Sequence, residues 1–311
     1  MILTLAGGVG AARFLDGLTR VFPPGEVYVL GNTADDTEIY GLHISPDLDT
    51  VMYTLAGLAN PVEGWGIHND TFESLAALGR LGEEVWFRLG DRDLATHIFR
   101  SNQLRAGSSL STITAQMAKQ LGVRSSVVPM SDDPIRTIVY TKHGDLAFQT
   151  YFVRRRAKDR VLGVTFQGAL ESRPAPGVLK AIRGAAGIVF CPSNPLISVG
   201  PILAVPGIRA AIAGRKCPSV AISPIVGGQA IKGPAARMMK TMGMEVSALG
   251  VARIYQELVD VLVIDTVDAD LAPAIEKLGM KVVVTNTMMT GLPVKKALAR
   301  TVVKALQKFR A

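Results

Sequence analysis

The sequence predicts an α/β protein: a Rossmann-like, mostly parallel sheet with helices on both faces, a helical insertion and a β-hairpin. Two observations support this class. Short, continuously apolar segments alternate with segments of helical periodicity along most of the chain, as expected when both faces of a parallel sheet are covered. The first apolar segment, residues 2–6, also ends in Gly7-Gly8-Val9-Gly10, after which apolar residues recur at helical spacing.

The elements follow one another in a regular order. Strands are predicted near residues 2–6, 26–30, 188–191, 219–223, 259–265 and 281–285, and helices near 11–21, 178–183, 208–213, 234–242 and 293–310. Ser45 and Pro46 predict a further helix start, with Ser45 as N-cap and Pro46 at the first helical position. The apolar stripe of that helix leaves out Asp49, which is expected to face solvent or a ligand.

The middle of the chain differs from this alternation. Residues of about 60–125 are predicted to be mostly helical, with many breaks, and Ile135–Lys142 with Leu146–Val153 predicts a hairpin. We therefore expect a single α/β domain over residues 1–311, with a core at about 1–59 and 126–311 and a helical insertion at about 60–125.

Composition and charge limit which cell compartment and which binding partners the sequence predicts. Apolar residues make up 48% of the chain, so a large core can form. No apolar run of about 18 residues predicts a membrane span, and two cysteines without a leader segment favour the cytoplasm. The net charge of +8 permits anionic partners. The basic run 154–160 is typical of a solvated loop, and the aromatic residues do not interleave with it, so no nucleic-acid partner is expected.

The glycine segment is the first candidate for chemistry. Glycines between a strand and a helix let backbone N–H groups approach a phosphate at a helix N-terminus. The alternative is a tight turn needed only for packing. The dinucleotide fingerprint is incomplete, because Arg13 stands at the third glycine position, and no Gly-Lys-Ser/Thr follows as in a P-loop. We expect Gly8 and Gly10 to contact phosphate groups.

Carboxylates cluster on two segments that follow. Asp35 and Asp36 end the second strand, and Asp47 and Asp49 begin the next helix. Oxygen ligands near a phosphate-binding turn predict a Mg²⁺ site, for which Asp35, Asp36 and Asp49 are the candidate ligands. Helix-dipole and turn-capping roles are the alternatives for Asp36 and Asp47.

Polar residues elsewhere add to the site. Ser193 and Asn194 follow a buried-type strand, so they should lie at the same sheet edge as Gly8. Asp91 or Asp93 could cap a helix, and Arg88 could hold a polar or anionic ligand or face solvent. The four histidines lack zinc spacing and no Gly-x-Ser-x-Gly turn is present, so zinc chemistry and a serine nucleophile are not supported.

Taken together, these segments resemble the 2-phospho-L-lactate transferase family. The pieces occur in family order from residue 2 to about residue 250, and their combination is specific although no single piece is. They are Leu5 to Leu15, Asn32-Thr33-Ala34-Asp35-Asp36, Ser45-Pro46-Asp47-Leu48-Asp49-Thr50, Gly64-Trp65-Gly66-Ile67, Leu89 to His97, Pro129-Met130-Ser131-Asp132-Asp133, Pro192-Ser193-Asn194-Pro195 and Ser223-Pro224-Ile225.

The resemblance implies a Mg²⁺-dependent transfer in the biosynthesis of coenzyme F-420. A guanine-nucleotide donor, lactyl-2-diphospho-5′-guanosine or its phosphoenolpyruvyl analogue, would give its 2-phospholactyl or phosphoenolpyruvyl group to a deazaflavin acceptor. That acceptor is 7,8-didemethyl-8-hydroxy-5-deazariboflavin, called Fo, and GMP would leave. The opening loop resembles the actinobacterial version, so the acyl group of the donor stays open. The family is typically homodimeric.

The resemblance also carries roles onto particular residues. The acceptor-binding aspartate of the family falls on Asp49, and its acceptor-binding basic residue falls on Arg88, where archaeal relatives can have lysine. We expect Asp49 to orient or deprotonate the ribityl hydroxyl, or to help hold the metal. Ser193 and Asn194 are expected to line the donor pocket.

Two other functions are compatible with parts of the sequence. Nucleotide-sugar-binding regulators of the gluconeogenesis-factor type resemble the chain in the glycine loop and the two aspartates, but small residues follow those aspartates there, whereas Thr37-Glu38-Ile39-Tyr40 follow here. A nicotinamide oxidoreductase would need the third glycine that Arg13 replaces.

Overall fold

A parallel sheet forms the centre of the computed structural model, which describes residues 1–309. The strands are β1 (Ile2–Ala6), β2 (Val27–Gly31), β3 (Thr37–Ile39), β4 (Leu42–Ile44), β5 (Ser126–Pro129), β6 (Arg136–Thr141), β7 (Gly144–Ala147), β8 (Val161–Gln167), β9 (Gly187–Phe190), β10 (Ser219–Ile222), β11 (Ile225–Val226), β12 (Gln229–Ala230), β13 (Val261–Ile264) and β14 (Lys281–Val284).

The α-helices lie between these strands and cover the sheet. They are α1 (Gly8–Leu18), α2 (Pro46–Leu55), α3 (Glu73–Arg80), α4 (Asp91–Arg105), α5 (Leu110–Gln120), α6 (Val178–Arg183), α7 (Gly200–Ala204), α8 (Ile208–Ala213), α9 (Ala235–Thr241), α10 (Ala248–Tyr255), α11 (Ala272–Glu276) and α12 (Leu292–Lys308). Short 3₁₀ segments occupy Pro24–Glu26 and Thr266–Leu271, and π-helical turns occupy Thr150–Arg154 and Pro195–Val199.

The order of the central strands creates the place for a site. The sheet runs β14-β13-β10-β9-β1-β2-β5, and every neighbouring pair is parallel. From β1 the chain builds outward through β2 and β5, and then returns to build β9, β10, β13 and β14 on the other side. The switch point therefore lies between β1 and β9, where open α/β sheets bind ligands beyond the carboxyl ends of their strands.

Buried side chains on both faces of the sheet explain why its strands are continuously apolar. In β1, Leu3 and Leu5 join one buried cluster, whereas Ile2 and Ala6 join the other. Successive side chains of a strand point to opposite faces, so a strand covered on both sides has no polar alternation. Side chains of α1, α2, α5 and α12 cover one face, and those of α6, α8 and α10 cover the other.

The predicted fold class is confirmed, and most predicted boundaries agree to within a few residues. The second strand of the hairpin is shorter than predicted. It ends at Ala147 and not at Val153, and a π-helical turn follows at Thr150–Arg154. The strand β8 then pairs with β6 to give an antiparallel sheet in the order β7-β6-β8. None of the helices within residues 1–309 has the length and apolar character needed to cross a bilayer.

Candidate active site

A cavity of about 640 Å³ opens at the switch point of the sheet, a size typical of small-molecule sites. Its walls come from the turn after β1, the loop after β9, the start of α2 and the segment before α4. Most of the predicted site residues meet here, and Asp36 is the exception. Those that line the cavity are Gly8, Gly10, Asp35, Asp49, Arg88, Ser193 and Asn194.

The glycine turn is held tightly against the loop that follows β9. The helix α1 begins at Gly8, whose φ is +70°, a left-handed value that favours glycine. A Cβ on Gly10 would lie 2.1 Å from the carbonyl oxygen of Pro192. The Ser193 hydroxyl donates to the Gly7 carbonyl (2.9 Å) and accepts from the Gly7 N–H (3.3 Å). Packing therefore requires glycine at residue 10, and the N-terminus of α1 faces the cavity.

Asn194 serves the local backbone as well as the cavity wall. Its Oδ1 accepts from the Leu196 N–H at 2.9 Å and so caps the π-helical turn Pro195–Val199. Its Nδ2 contacts the Met238 sulfur at 3.8 Å.

Two carboxylates share the end of the cavity beside the glycine turn. Burial raises the pKa of Asp47 to about 7, although hydrogen bonds from Asn32 and Gly8 oppose the shift. Burial and the nearby Asp47 charge raise the pKa of Asp35 well above its usual range. The Asp35 Oδ1 atom is buried without a hydrogen-bond partner. A cation placed between these two groups would relieve both effects.

Asp36 does not line the cavity, and one of its two oxygens is already hydrogen-bonded while its Oδ1 is buried without a partner. Its Oδ2 accepts from the Ser45 hydroxyl at 2.8 Å and lies 2.9 Å from His43 Nε2. Ser45 is the N-cap of α2 and Pro46 follows it at the helix start, as predicted, but the Ser45 side chain makes no capping bond. Among residues 1–309, no three His, Cys, Asp or Glu side chains converge as a ready metal centre.

Asp49 does not face solvent, which was one of the two outcomes that the helical stripe allowed; the other was that it faces a ligand. It is buried, and both of its oxygens contact Arg100, with Arg100 Nη1 donating to Oδ2 at 3.1 Å and Nη2 donating to Oδ1. Burial raises the pKa of Asp49 and the Arg100 charge opposes that shift. Asp49 also lines the cavity, so a ligand there would meet a carboxylate already fixed by a guanidinium.

The contacts extend from Asp49 into a buried polar network. His97 Nδ1 lies 3.7 Å from Asp49 Oδ2, and His97 Nε2 lies 3.1 Å from Asp93 Oδ1. The Tyr53 hydroxyl donates to the same Asp93 oxygen at 2.7 Å. Asp93, His97 and Arg100 occupy one face of α4. Their spacing of i, i+4 and i+7 indicates one face of a helix, and this pattern could have predicted the buried polar face that was missed.

The dense charged turn before α4 has a capping role. Asp70 accepts from the N–H groups of Arg92 (2.8 Å) and Asp93 (3.0 Å) at the start of α4. Asp91 in turn accepts from the N–H groups of Glu73 and Ser74, each at 2.9 Å, at the start of α3. Asp70, which precedes α3, thus caps α4, and Asp91, the first residue of α4, caps α3. The predicted N-cap role in the following helix is wrong, because Gly90 is the N-cap of α4 and Asp91 instead caps α3.

Aromatic side chains line the cavity, and two of them, Trp86 and Phe87, directly precede Arg88 in the chain. Trp86 and Phe87 meet edge to face with 5.6 Å between ring centroids, and Phe148 and Phe152 stack at 5.4 Å. Arg88 is exposed, and its Cζ lies 4.5 Å from the centre of the Phe72 ring. Within residues 1–309 the Arg88 guanidinium forms no ion pair. These aromatic walls suit a flat aromatic ligand.

Two cations that were not predicted as ligand contacts also line the cavity: Arg13 and Lys232. Partial burial and the nearby Arg13 charge lower the pKa of Lys232. Lys232 donates to the Glu63 carbonyl at 2.7 Å, and neither cation has a carboxylate partner within the described part of the chain. Like charges held together at a cavity wall suit an anionic ligand. No local motif marks Lys232, so sequence spacing alone gave no signal for it.

The basic run 154–160 lies outside this cavity. Arg154 pairs with Glu84 at 2.7 Å, and Arg155 pairs with Asp159 at 2.5 Å. These contacts fit the expectation of a solvated surface segment.

The fold and site together define a class: a Rossmann-like α/β protein with its ligand cavity at the topological switch point. A family model described as 2-phospho-L-lactate transferase CofD matches residues 2–300 of this chain. The chain therefore belongs to the 2-phospho-L-lactate transferase family, and it is a transferase of that type.

Individual relatives agree with this assignment over nearly full length. The chain is 45% identical over 320 residues to a phosphoenolpyruvate transferase of Streptomyces griseus, covering 100% of this chain and 99% of that protein. It is 40% identical over 304 residues to a 2-phospho-L-lactate transferase of Methanosarcina mazei, covering 98% of this chain and 100% of that one. A solved structure from Bacillus halodurans, described as a member of the upf0052 family, has a TM-score of 0.64 at 17% identity and covers 97% of this chain and 98% of its own. That last likeness concerns the fold alone.

Proposed function

We propose that the chain transfers a 2-phospholactyl or phosphoenolpyruvyl group from a guanylyl diphosphate donor to the ribityl hydroxyl of Fo, releasing GMP, in the biosynthesis of coenzyme F-420. Relatives named for each of the two acyl groups match the chain at similar identity, 45% and 40%. The acyl group of the donor therefore stays open between lactate and enolpyruvate.

The observation that carries this proposal is the continuity of the cavity. The same cavity is lined by the glycine turn, the carboxylates Asp35 and Asp47, and the cations Arg13 and Lys232. Aromatic side chains and Arg88 also line it. A diphosphate fits the first group because a helix N-terminus and cations favour negative charge, and a deazaflavin ring fits the aromatic side chains. The two reactants would then meet within a single cavity.

The reaction needs little covalent help from the protein. A bond forms between the ribityl oxygen and the phosphorus that bears the acyl group, and the bond from that phosphorus to the GMP oxygen breaks. The ribityl hydroxyl loses its proton, and GMP leaves with the electron pair of the broken bond. Such transfers depend on positioning and charge neutralisation. We assign Asp49 to orienting the hydroxyl or accepting its proton, and Arg88 to holding the acceptor ring. The donor phosphates lie along the Gly8–Gly10 turn, with Ser193 and Asn194 in the wall beside them.

The residues present fit a magnesium ion shared with the donor. Asp35 has a buried oxygen without a partner, and Asp47 raises the pKa of Asp35 by its charge. Mg²⁺ commonly takes one or two carboxylates together with substrate phosphates. Of the three expected ligands, Asp35 is the best placed, because Asp36 does not line the cavity and Asp49 already contacts Arg100. We therefore assign Asp35 and Asp47 to the metal. When bound, Mg²⁺ would neutralise charge that develops on the departing GMP.

Two further parts of the proposal rest on the family rather than on this site. The protein is proposed to act in the cytoplasm and as a homodimer. Sedimentation of the purified protein at micromolar concentration tests the second point, and a mass equal to one chain would contradict it.

A direct assay tests the function. The purified protein is incubated with Fo, Mg²⁺ and one guanylated donor at a time. The products are then separated and identified by mass spectrometry. We expect free GMP and Fo enlarged by phospholactate or by phosphoenolpyruvate, according to the donor accepted. No enlarged Fo with either donor would reject the proposal. Affinity for uridine nucleotide sugars in the same preparation would then favour the regulator alternative.

A further inference from the structure

We infer that Tyr53, Asp93 and His97 form a subsite that recognises the hydroxyl groups of the acceptor's polyol chain. This inference rests on the proposed function and adds specificity-determining residues to it. The three side chains line the cavity together with Asp49. They come from two helices, because Asp49 and Tyr53 lie one turn apart on α2 and Asp93 and His97 lie one turn apart on α4.

Hydrogen-bonding capacity in this cluster remains available to a ligand. His97 is 1% exposed, and its Nε2 has no hydrogen bond of normal geometry although Asp93 Oδ1 lies 3.1 Å away. A buried polar atom that lacks a partner costs free energy, and such atoms in native proteins call for a functional explanation. The Asp93 side chain lines the cavity and keeps 12% of its surface accessible. A ligand hydroxyl can donate to this carboxylate, against which Tyr53 and His97 are packed.

The charge of the cluster selects a neutral ligand over the donor diphosphate. Asp49 and Asp93 are two carboxylates, and Arg100 is the guanidinium that compensates Asp49. Arg100 does not line the cavity, so a ligand meets the carboxylates and not the cation. Asp49 and Asp93 would repel phosphate groups, whereas the cavity-lining cations Arg13 and Lys232 would attract them. A polyhydroxylated chain, uncharged and rich in donors, is the part of the reactants that suits this surface.

The arrangement predicts discrimination between acceptors by their side chains. A site whose buried polar groups are satisfied by ligand hydroxyls rejects an analogue that lacks them, because the groups are then left unpaired. Two acceptors with the same deazaflavin ring should therefore differ in affinity if one has the ribityl chain and the other a plain alkyl chain. The ring contacts near Trp86 and Arg88 would be common to both.

Fluorescence titration without donor measures this discrimination directly. Fo and the deazaflavin with a pentyl chain are titrated into the wild-type protein, His97→Ala, Tyr53→Phe and the control Ser101→Ala. Ser101 lies on α4 and is buried, but it contacts the His43 N–H and the His97 carbonyl and does not line the cavity. We expect the wild type to prefer Fo by about tenfold or more. His97→Ala and Tyr53→Phe should each reduce that preference at least about threefold, and Ser101→Ala should leave it unchanged.

The outcomes separate this inference from the proposed function. Fo binding and turnover with an unchanged preference in both His97→Ala and Tyr53→Phe would overturn the subsite and leave the proposed reaction standing. Absence of Fo binding to the wild type would reject the proposed reaction and the subsite with it. Tyr53→Phe keeps the buried ring, so it tests the inference even if His97→Ala does not fold.

Discussion

Arg100 and Asp49 form a buried ion pair in which the guanidinium contacts both carboxylate oxygens, and the two residues are 51 positions apart in the chain. Arg100 is 1% exposed and Asp49 is 4% exposed. The pair joins α4 to α2 beneath the cavity. It therefore links the stability of the fold to the geometry of the proposed acceptor site.

Removing one partner of this pair should be costly. Arg100→Met leaves the Asp49 charge buried without compensation, and we expect the free energy of unfolding to fall by about 3–5 kcal/mol. The double variant Arg100→Met with Asp49→Asn should recover part of that loss, because no uncompensated charge remains. Urea unfolding followed by circular dichroism measures both changes. Equal stability of the single and double variants would show that the charge is not the cause.

Asp49→Asn should lower turnover by about 10²–10⁴-fold, the range expected when a positioned acid–base group is lost. The variant also leaves Arg100 opposite a neutral amide, so some loss of stability accompanies the loss of activity. The rate should therefore be measured at a temperature where circular dichroism shows the variant to be folded. Turnover near the wild-type value would remove Asp49 from the mechanism.

Arg88→Ala should weaken acceptor binding and spare donor binding. Arg88 is an exposed cation in the cavity wall, stacked on Phe72 and far from any carboxylate partner among residues 1–309. We expect the Kd for Fo to rise about tenfold, as for loss of one charged contact to a ligand. The matched control is Arg80→Ala, an exposed arginine on α3 that does not line the cavity. Equal Fo affinity in Arg88→Ala and Arg80→Ala would contradict the assignment.

Asp47 should make stability depend on pH in the absence of metal. Its pKa is raised to about 7 in the folded protein, against about 3.9 in an unfolded chain. Between these values the folded state binds more protons, so the free energy of unfolding falls as pH rises from about 4 through about 7. Asp47→Asn removes this loss, and its Tm relative to wild type should therefore increase from pH 5 to pH 8 in the presence of a chelator.

The measurement has an internal check. The control substitution is Asp145→Asn, at an exposed hairpin residue that does not line the cavity. If the Tm difference between wild type and Asp47→Asn stays constant from pH 5 to pH 8, Asp47 does not change its protonation within that pH range. Added Mg²⁺ should narrow the difference at pH 8, since a cation between Asp35 and Asp47 stabilises the ionised wild-type pair.

The sequence predicted those parts of the molecule that depend on local pattern. Apolar segments four to seven residues long located six of the seven central strands, all but β5, and Ser45-Pro46 located the start of α2. It did not reveal the partner of Asp49, because a helical stripe on α2 describes only that helix, and the neighbour that buries Asp49 comes from α4. The predicted second strand of the hairpin was too long because tertiary contacts again override the local pattern. Phe148 and Tyr151 have strand propensity, but they pack in a buried cluster at a helical turn.

The glycine turn offers a test that separates packing from ligand binding. A Cβ at Gly10 would meet the Pro192 carbonyl oxygen at 2.1 Å, and a Cβ at Gly17, two turns later on α1, would meet the Lys295 carbonyl oxygen at 2.4 Å. Both Gly10→Ala and Gly17→Ala must therefore shift backbone, and both should lower Tm. Only the first clash involves the loop of Ser193 and the cavity wall. We expect Gly10→Ala to raise the KM for the guanylated donor several-fold, whereas Gly17→Ala keeps the donor KM of the wild type at a temperature where both variants are folded. A donor KM that changes equally in the two variants would mean that the turn has only a packing role.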